Sequence, residues 1–329
     1  MALLSIVVPV YNLAPYLKEG LDSVLNQQVQ DIEVICVNDG STDSSLSILN
    51  DYVLKDKRVK VISQTNRGVS VARNVGIDNA SGEYITFFDP DDIVSSDMYE
   101  RMLEKCISHR LDLIICAFKT SQSDIPVIHD LLRYQKVSPI RLISHCPNWH
   151  SSSVLCFSWR MIFRREVIKE NAIYYHPEIS IGEDALFNMN VLCHSKNTYY
   201  LPEPLYCYRI SDASTMSAKF KPNLERSLSL QFSEQESLME NNKDIRFNKR
   251  DFYEDVVKRY TQLLFNNLRN NPNELDKLTG IKRILNMPMI RGAMKEVGYR
   301  NIYSSWKEYA FYLAMKFRWA KLVYRMYGF

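Results

Sequence analysis

No C-x-x-C pair occurs in this sequence, and its seven cysteines (Cys36, Cys106, Cys116, Cys146, Cys156, Cys193, Cys207) are scattered and odd in number. That excludes a disulfide framework or a zinc knuckle and points to a reducing, cytoplasmic home. Glycine and proline are scarce, 10 and 12 in 329 residues, which excludes collagenous, mucin-like and wholly disordered chains. Neither charge sign dominates: 41 Lys and Arg face 38 Asp and Glu. The chain therefore lacks the global basic field of a nonspecific nucleic-acid binder, and no nucleic-acid partner is expected. Long apolar runs are missing too. The longest uncharged stretch, Leu142 to Trp159, is 18 residues and carries His145, Pro147, Asn148, His150 and several serines, too polar to span a bilayer. The start, Met1 to Val10, has neither the basic leader nor the small-residue cleavage site of a secretory signal and reads as a first strand. The six histidines (His109, His129, His145, His150, His176, His194) show no metal-ligand spacing.

What is present is an ordinary folded composition, 46% hydrophobic and 24% charged, with tyrosine high at 20. At roughly 100 to 200 residues per domain the length suggests one large domain with an appendage, or two domains. Short β-branched runs (Ser5 to Val10, Ile32 to Asn38, Val59 to Ser63, Tyr84 to Asp89, Leu111 to Lys119) alternate with helical patterns (Pro15 to Asn26, Ser44 to Leu54, Val69 to Ala80, Asp97 to His109). Ser44 and Ser96 are the expected helix caps. The alternation predicts an α/β sheet with parallel crossovers and both faces covered. After about Lys219 the pattern becomes helical: Asn223 to Glu240, Arg250 to Asn270 and Trp306 to Tyr327, broken at Glu240 to Lys243 and Asn270 to Glu274.

In open α/β sheets ligands bind beyond the carboxyl ends of the strands, so the residues following each strand carry the functional signal. Here they are polar: Pro9-Val-Tyr-Asn12, Asn38-Asp-Gly-Ser-Thr-Asp43, Gln64-Thr-Asn-Arg-Gly68 and Asp89-Pro-Asp-Asp92. The last places three carboxylates at one strand end. They fit either an octahedral Mg²⁺ or Mn²⁺ shared with phosphate oxygens, or an acidic helix start that opposes the macrodipole. The second loop is either a turn closed by Gly40 or a place where a carboxylate accepts from a nucleobase. In the third, Gly68 marks a close backbone approach, and Arg73, one helical turn on, is placed to neutralise a diphosphate.

Four blocks in order, Ser5 to Asn12, Val37 to Asp43, Asn66 to Gly76 and Phe87 to Asp92, resemble the inverting GT-A glycosyltransferases of family 2, widespread in bacterial surface-polysaccharide synthesis. The resemblance covers roughly residues 1 to 215. It implies a GT-A catalytic domain over 1–218, a Rossmann-like nucleotide-sugar-binding half over 1–110 and an acceptor half over 111–218, followed by a helical C-terminal region over 219–329. It also implies a UDP-sugar donor, with Pro9, Tyr11 and Asp39 around base and ribose, Asn66 and Gly68 in the nucleotide-sugar loop, and Arg73 near base or diphosphate. Asp89 to Asp91 becomes the D-x-D site for Mn²⁺ or Mg²⁺, Asp91 as direct ligand, with Pro90 standing where the family more often has Ser.

Downstream, Ile181-Gly-Glu-Asp-Ala-Leu-Phe187 resembles the family's E-D block. By that likeness Asp184 is the base that takes the acceptor proton in a single displacement, and Glu183 holds the acceptor or orients its neighbour. Ser158 to Arg165 resembles a segment in which the family reads Trp-Asn-Lys; Arg160 and Met161 stand there instead. Trp159 is read either as an acceptor-stacking platform or as core. Tyr206 to Thr215 is similar to the family's strand into a donor-closing loop, which makes Arg209 and Ser214 phosphate-side candidates. The implied function is transfer of a hexose or N-acetylhexosamine to an oligosaccharide or lipid-linked glycan in capsule, lipopolysaccharide or exopolysaccharide synthesis.

The last 30 residues hold six basic side chains (Arg300, Lys307, Lys316, Arg318, Lys321, Arg325) against one acid, Glu308. On one continuous helix, Arg318, Lys321 and Arg325 would flank an apolar face of Phe311, Met315, Trp319, Leu322, Met326 and Phe329. Such a face has two destinations, an inner-leaflet membrane surface or protein packing, on the catalytic domain or as a homodimer. Phe317-Arg-Trp319 resembles the end of the Q-x-x-R-W pattern of processive synthases, but Met315 occupies the Gln position and no spanning helix accompanies it. Two other functions stand beside the leading one: a catalytically silent glycan-binding scaffold on the same fold, and a nucleotidyltransferase. The latter lacks its usual Gly-rich basic loop at Pro9 to Leu13.

Overall fold

The apolar β-branched runs pair into one twisted sheet, seen in a computed structural model that describes residues 2–127, 135–144, 156–210, 220–242, 247, 249–274, 276–297 and 305–328. The first strands and helices alternate as expected: β1 (Leu4–Val10), α1 (Ala14–Leu25), β2 (Ile32–Asp39), α2 (Ser45–Lys55), β3 (Val59–Gln64), α3 (Val69–Asn79) and β4 (Tyr84–Phe87). β1 runs parallel to β2 and β4, and β2 parallel to β3, with Pro9 opposite Val37. Every residue of β1 and β2 is buried, as strands covered on both faces must be. Their carboxyl ends consequently open on one rim.

Beyond β4 the sheet departs from an all-parallel plan. β5 (Ile93–Val94), α4 (Met98–His109), β6 (Leu113–Thr120), β7 (Ser123–Val127), β8 (Gln135–Val137) and α5 (Pro139–Ser144) precede a 3₁₀ turn at Ser158–Arg160; β9 (Met161–Arg164), α6 (Arg165–Glu170), α7 (Glu183–His194) and β10 (Thr198–Tyr208) follow. Among the described residues the order is β3-β2-β1-β4-β9-β6-β10-β5, with β7 on β6 and β8 on β10. β9 inserts antiparallel between β4 and β6. This four-residue strand sits inside the segment read above as an acceptor motif, too short for its alternation to announce a strand.

Local helix starts differ from expectation as well. Ser44 stands at the N-cap of α2 without a side-chain cap; Asp43 does the capping, accepting from the Ser45 N–H at 2.9 Å and from the Ala14 N–H at 3.0 Å, which ties the starts of α1 and α2 together. At α4 the residue before the helix is Asp97 rather than Ser96, and the orphan Tyr99 N–H is satisfied by Gln27 Oε1 at 3.1 Å. α3 lies against β1 and β2. Gly76 permits this approach, because a Cβ there would collide with the Val7 side chain.

Glu33, 5% exposed, ties four segments together. Its Oε1 accepts from Ser5 Oγ at 2.6 Å on β1, and from the Ser81 N–H and Oγ at 2.7 and 2.8 Å before β4, while Lys60 Nζ on β3 donates to Oε2 at 2.7 Å. Burial alone would raise this carboxyl, yet the donors from Lys60, Ser5 and Ser81 outweigh it and hold the pKa down at about 2.

The chain divides into two compact units, Met1–Asp212 and Ala213–Phe329. The second is helical in all its described elements: α8 (Leu224–Asn241), α9 (Lys249–Asp255), a π-helical turn (Val256–Tyr260), α10 (Thr261–Asn270), α11 (Lys277–Asn286), α12 (Pro288–Val297), α13 (Trp306–Lys316) and α14 (Ala320–Tyr327). α11 and α12 add to the three helical segments expected, Pro288 separating them by ending one run and opening the next. The single helix expected over Trp306 to Tyr327 is two, broken at Phe317 to Trp319 where Arg318 takes a left-handed φ of 59°. Tyr312, Leu264, Phe265, Ile284 and Ile290 form its core.

Because the folded pKa of Glu33 lies below the ordinary 4.5, its contribution to stability is fully present above about pH 4.5 and is lost as pH falls through about 2. Glu33→Gln is expected to lower the unfolding free energy at pH 7 by about 1–3 kcal/mol. Urea unfolding at pH 7 and pH 3 should show wild type and variant converging on the acid side; an unchanged gap would contradict this account.

Candidate active site

The polar strand-end loops bind one another before they bind anything else. Asn12, at φ 53°, turns its Oδ1 to accept from the Thr42 N–H at 2.8 Å, while its own N–H donates to Ser41 Oγ at 3.1 Å. Asp39, buried at the end of β2, accepts from the backbone N–H groups of Arg67 at 2.9 Å and Gly68 at 2.8 Å and from Gln64 Nε2 at 2.7 Å. Expected at the nucleobase, Asp39 is thus first the anchor of the third loop. That loop leaves Asn66 and Gly68 exposed, and Tyr11 stands 47% exposed beyond the buried Pro9. The close approach expected at Gly68 is not to the protein: a Cβ there would meet nothing within 4 Å. Glycine is required instead by a φ of 90° at the N-cap of α3.

One turn into α3, Arg73 is 4% exposed and faces three carboxylates. Its guanidinium donates to Asp184 Oδ1 at 2.5 Å and to Asp89 Oδ1 at 3.1 Å, and lies 3.6 Å from Glu183 Oε1. Tyr175 supports it from below, its ring centroid 5.1 Å from the guanidinium carbon and stacked on Phe187 at 4.1 Å. Arg73 was expected near base or diphosphate; its charge is instead committed to Asp89 after β4 and to the acids opening α7. Nε, buried, is the one donor it leaves unbonded.

Glu183 and Asp184 occupy the first turn of α7, where the helix macrodipole favours negative charge. Asp184 Oδ2 also accepts from the Ser158 N–H at 3.2 Å. Three acids share one buried cation, so burial, opposed by Arg73 and reinforced by Glu183 and Asp89, leaves the Asp184 carboxyl raised to about 7. Burial disfavours the Arg73 charge, but the pull of Asp184, Asp89 and Glu183 prevails and keeps it protonated.

The acidic loop after β4 is braced from the far side of the sheet. Asp92, 1% exposed, accepts from Tyr206 Oη at 2.7 Å and from the Arg209 N–H at 2.7 Å, and burial with the nearby Asp89 pushes its pKa up to about 8. Arg209 donates through Nε to the Asp91 carbonyl at 2.7 Å and through a terminal nitrogen to Glu19 at 2.6 Å. Arg209, expected on donor phosphates, therefore holds the loop in shape. Asp91 is left half-buried, raised by burial and by repulsion from Asp89. Among the described residues no three His, Cys, Asp or Glu side chains converge as a ready-made metal cage. A hard divalent ion bound to one or two carboxylates and completed by phosphate oxygens fits this donor set, since Asp89 and Asp91 repel each other until a cation intervenes.

Trp159 does not offer a platform to a sugar: it is 2% exposed and stacked against Tyr206 at 4.0 Å, with Phe157 at 4.9 Å and Phe118 edge-on at 5.2 Å. The core alternative holds, because β9 draws the preceding 3₁₀ turn under the sheet. Ser214 lies outside the described residues. Ser158, Tyr175 and Tyr206, which sequence reasoning did not assign to the site, support Asp184, Arg73 and Asp92 respectively.

Residues 5–171 match the family model described as glycosyl transferase family 2. The chain is 32% identical over 302 residues to the Bacillus subtilis (strain 168) protein named uncharacterized glycosyltransferase EpsJ, covering 91% of this chain and 88% of that one. It is 33% identical over 226 residues, 67% of this chain and 34% of the other, to the poly(ribitol-phosphate) beta-glucosyltransferase of Bacillus spizizenii. Among solved structures, Staphylococcus aureus TarS 1–349 in complex with UDP-GlcNAc superposes with a TM-score of 0.71 at 20% identity, over 99% of this chain and 92% of that one, and shares the fold. The chain belongs to glycosyl transferase family 2 and has the GT-A fold, with a helical C-terminal region.

If Arg73 neutralises the acids around it, Arg73→Met leaves buried carboxylates unpaired and should lower stability at pH 7 by about 3–5 kcal/mol. The deficit should shrink toward pH 5 as the buried Asp184 carboxylate protonates. Urea denaturation at both values checks this, and a pH-independent deficit would refute it.

Proposed function

We propose that this chain is an inverting transferase that moves a hexose or N-acetylhexosamine from a UDP-sugar to an oligosaccharide or lipid-linked glycan in bacterial surface-polysaccharide synthesis. The observation that carries the proposal is the contact of one guanidinium with both Asp89, in the acidic loop, and Asp184, at the start of α7. In this reading a donor-phosphate site and a base lie on either side of one guanidinium. The similarity to a poly(ribitol-phosphate) glucosyltransferase and the fold shared with a UDP-GlcNAc-bound protein support the substrate classes.

In this mechanism Asp184 accepts the acceptor hydroxyl proton as that oxygen attacks the anomeric carbon on the face opposite the leaving nucleotide. Its raised pKa suits the task, because a base poised near neutrality is deprotonated at working pH and still basic enough to take a proton. Arg73 and the Ser158 N–H hold the carboxylate in one orientation. Glu183 borders the same cleft and is placed to hold the acceptor. Mn²⁺ or Mg²⁺ held by Asp91, with Asp89 beside it, would offset charge on the departing diphosphate. Exposed Tyr11, Asn66 and Gly68 bound the rim where the nucleotide is expected.

Asp184→Asn should lose about 10²- to 10⁴-fold in kcat while still binding UDP. In the wild type kcat/KM should rise with pH through about 7, because the protonated base is inactive. An Asn variant transferring sugar at the normal rate would sink the assignment of the base. Independently, UDP with Mn²⁺ should raise the thermal midpoint, by the equivalent of about 2.7 kcal/mol at a hundredfold excess over Kd. EDTA or Asp91→Asn should remove most of that shift. A chain that answers no nucleotide under either condition would be the silent scaffold instead.

A further inference from the structure

The helical unit carries an exposed surface to which none of the site residues named above belongs. α13 ends at Lys316, whose carbonyl accepts from Arg291 at 2.9 Å, and the chain turns through Phe317, Arg318 and Trp319 into α14. The turn is fixed from behind by the Trp319 N–H, which donates to the Ala314 carbonyl at 2.8 Å. On its outer side the Phe317 and Trp319 rings stack with centroids 5.5 Å apart and stay 51% and 55% exposed. Along α14, Leu322 and Met326 continue this apolar strip one turn apart, and Lys321 and Arg325 run beside it, all four exposed. Ala320 and Val323 take the buried side.

Charge narrows what can cover this strip. From Tyr309 to Gly328 the sequence contains no acidic residue. A two-fold dimer through the strip would bring Arg318, Lys321 and Arg325 of each copy toward the same cations of the other, with no carboxylate in this stretch of sequence to offset them. A partner that accepts apolar side chains and presents dense negative charge at the same depth suits both stripes. We infer that the Phe317–Trp319 turn and α14 dock on an anionic lipid bilayer. Phe317, Trp319, Leu322 and Met326 enter the interface, while Arg318, Lys321 and Arg325 meet the lipid phosphates. Among the described residues no helix is long and apolar enough to cross a membrane, so the contact is peripheral.

Co-sedimentation of the full chain with phosphatidylcholine vesicles, with and without phosphatidylglycerol, tests the inference. Binding should require the anionic lipid and weaken as salt shortens the screening length from about 10 Å at 0.1 M to about 3 Å at 1 M. Lys321→Gln with Arg325→Gln should cut the partition coefficient about 30-fold, roughly 5-fold per cation. Phe317→Ser with Trp319→Ser should cut it at least about 10-fold. Both variants should keep the wild-type thermal midpoint and nucleotide response, which separates this surface from the catalytic proposal. Absence of vesicle binding, equal binding to neutral vesicles, or a neutralised variant that binds like wild type would each overturn the inference. A concentration-dependent dimer dissolved by the Phe317 and Trp319 changes would assign the strip to a second copy instead.

Discussion

A single buried cation sets the terms for the catalytic unit. Arg73 is held in α3, packed on β1 and β2, and from there it reaches the loop after β4 and the first turn of α7. Three carboxylates are drawn together at a place where, without it, desolvation and mutual repulsion would drive them apart or protonate them. The parallel half of the sheet supplies the cation and one acid; the mixed half supplies the other two. β9, inserted antiparallel between β4 and β6, joins the two halves into one sheet.

The remaining polar residues of the rim are spent on fixing backbone. Asp39 holds the Arg67–Gly68 peptides, Asn12 and Asp43 link the first two loops to the starts of α1 and α2, and Asp92 and Arg209 fasten the acidic loop to the end of β10. Such loops are ordered before a substrate arrives, so less ordering remains to oppose binding. Asp91 differs: half-buried and repelled by Asp89, its carboxylate takes a hydrogen bond from its own backbone N–H, while Arg209 holds its carbonyl.

Much of this plan was legible in the sequence. Strand-length apolar runs ending in Asn, Asp, Gly and Ser marked β1 to β4 and their loops, since alternation of type and polarity at strand ends are local properties. The four-block resemblance to family 2 carried the fold. What the sequence did not disclose depends on partners far along the chain. Trp159 became core because β9 pulls it beneath Tyr206; Asp39 and Arg209 became braces because neighbouring loops offered donors and carbonyls at the right distance. At Gly68 the requirement visible in the structure is its φ of 90° at the start of α3. The break at Arg318 was invisible because no glycine or proline marks it between Trp306 and Tyr327.

The bonds that complete the cleft span long stretches of chain: 111 residues between Arg73 and Asp184, 114 between Asp92 and Tyr206, and 190 between Glu19 and Arg209. During synthesis, therefore, β1 to β4 can pair while the ribosome still holds α7 and β10. At about 5–20 residues per second, roughly 5 to 20 seconds separate the emergence of Arg73 and Asp89 from that of Glu183 and Asp184. Throughout that interval the rim has its loops but neither the acids of α7 nor the brace from Tyr206 and Arg209. A nascent or truncated chain ending before Arg209 thus lacks part of the bracing of the acidic loop, which is completed late, when β10 pairs with β5 and β6.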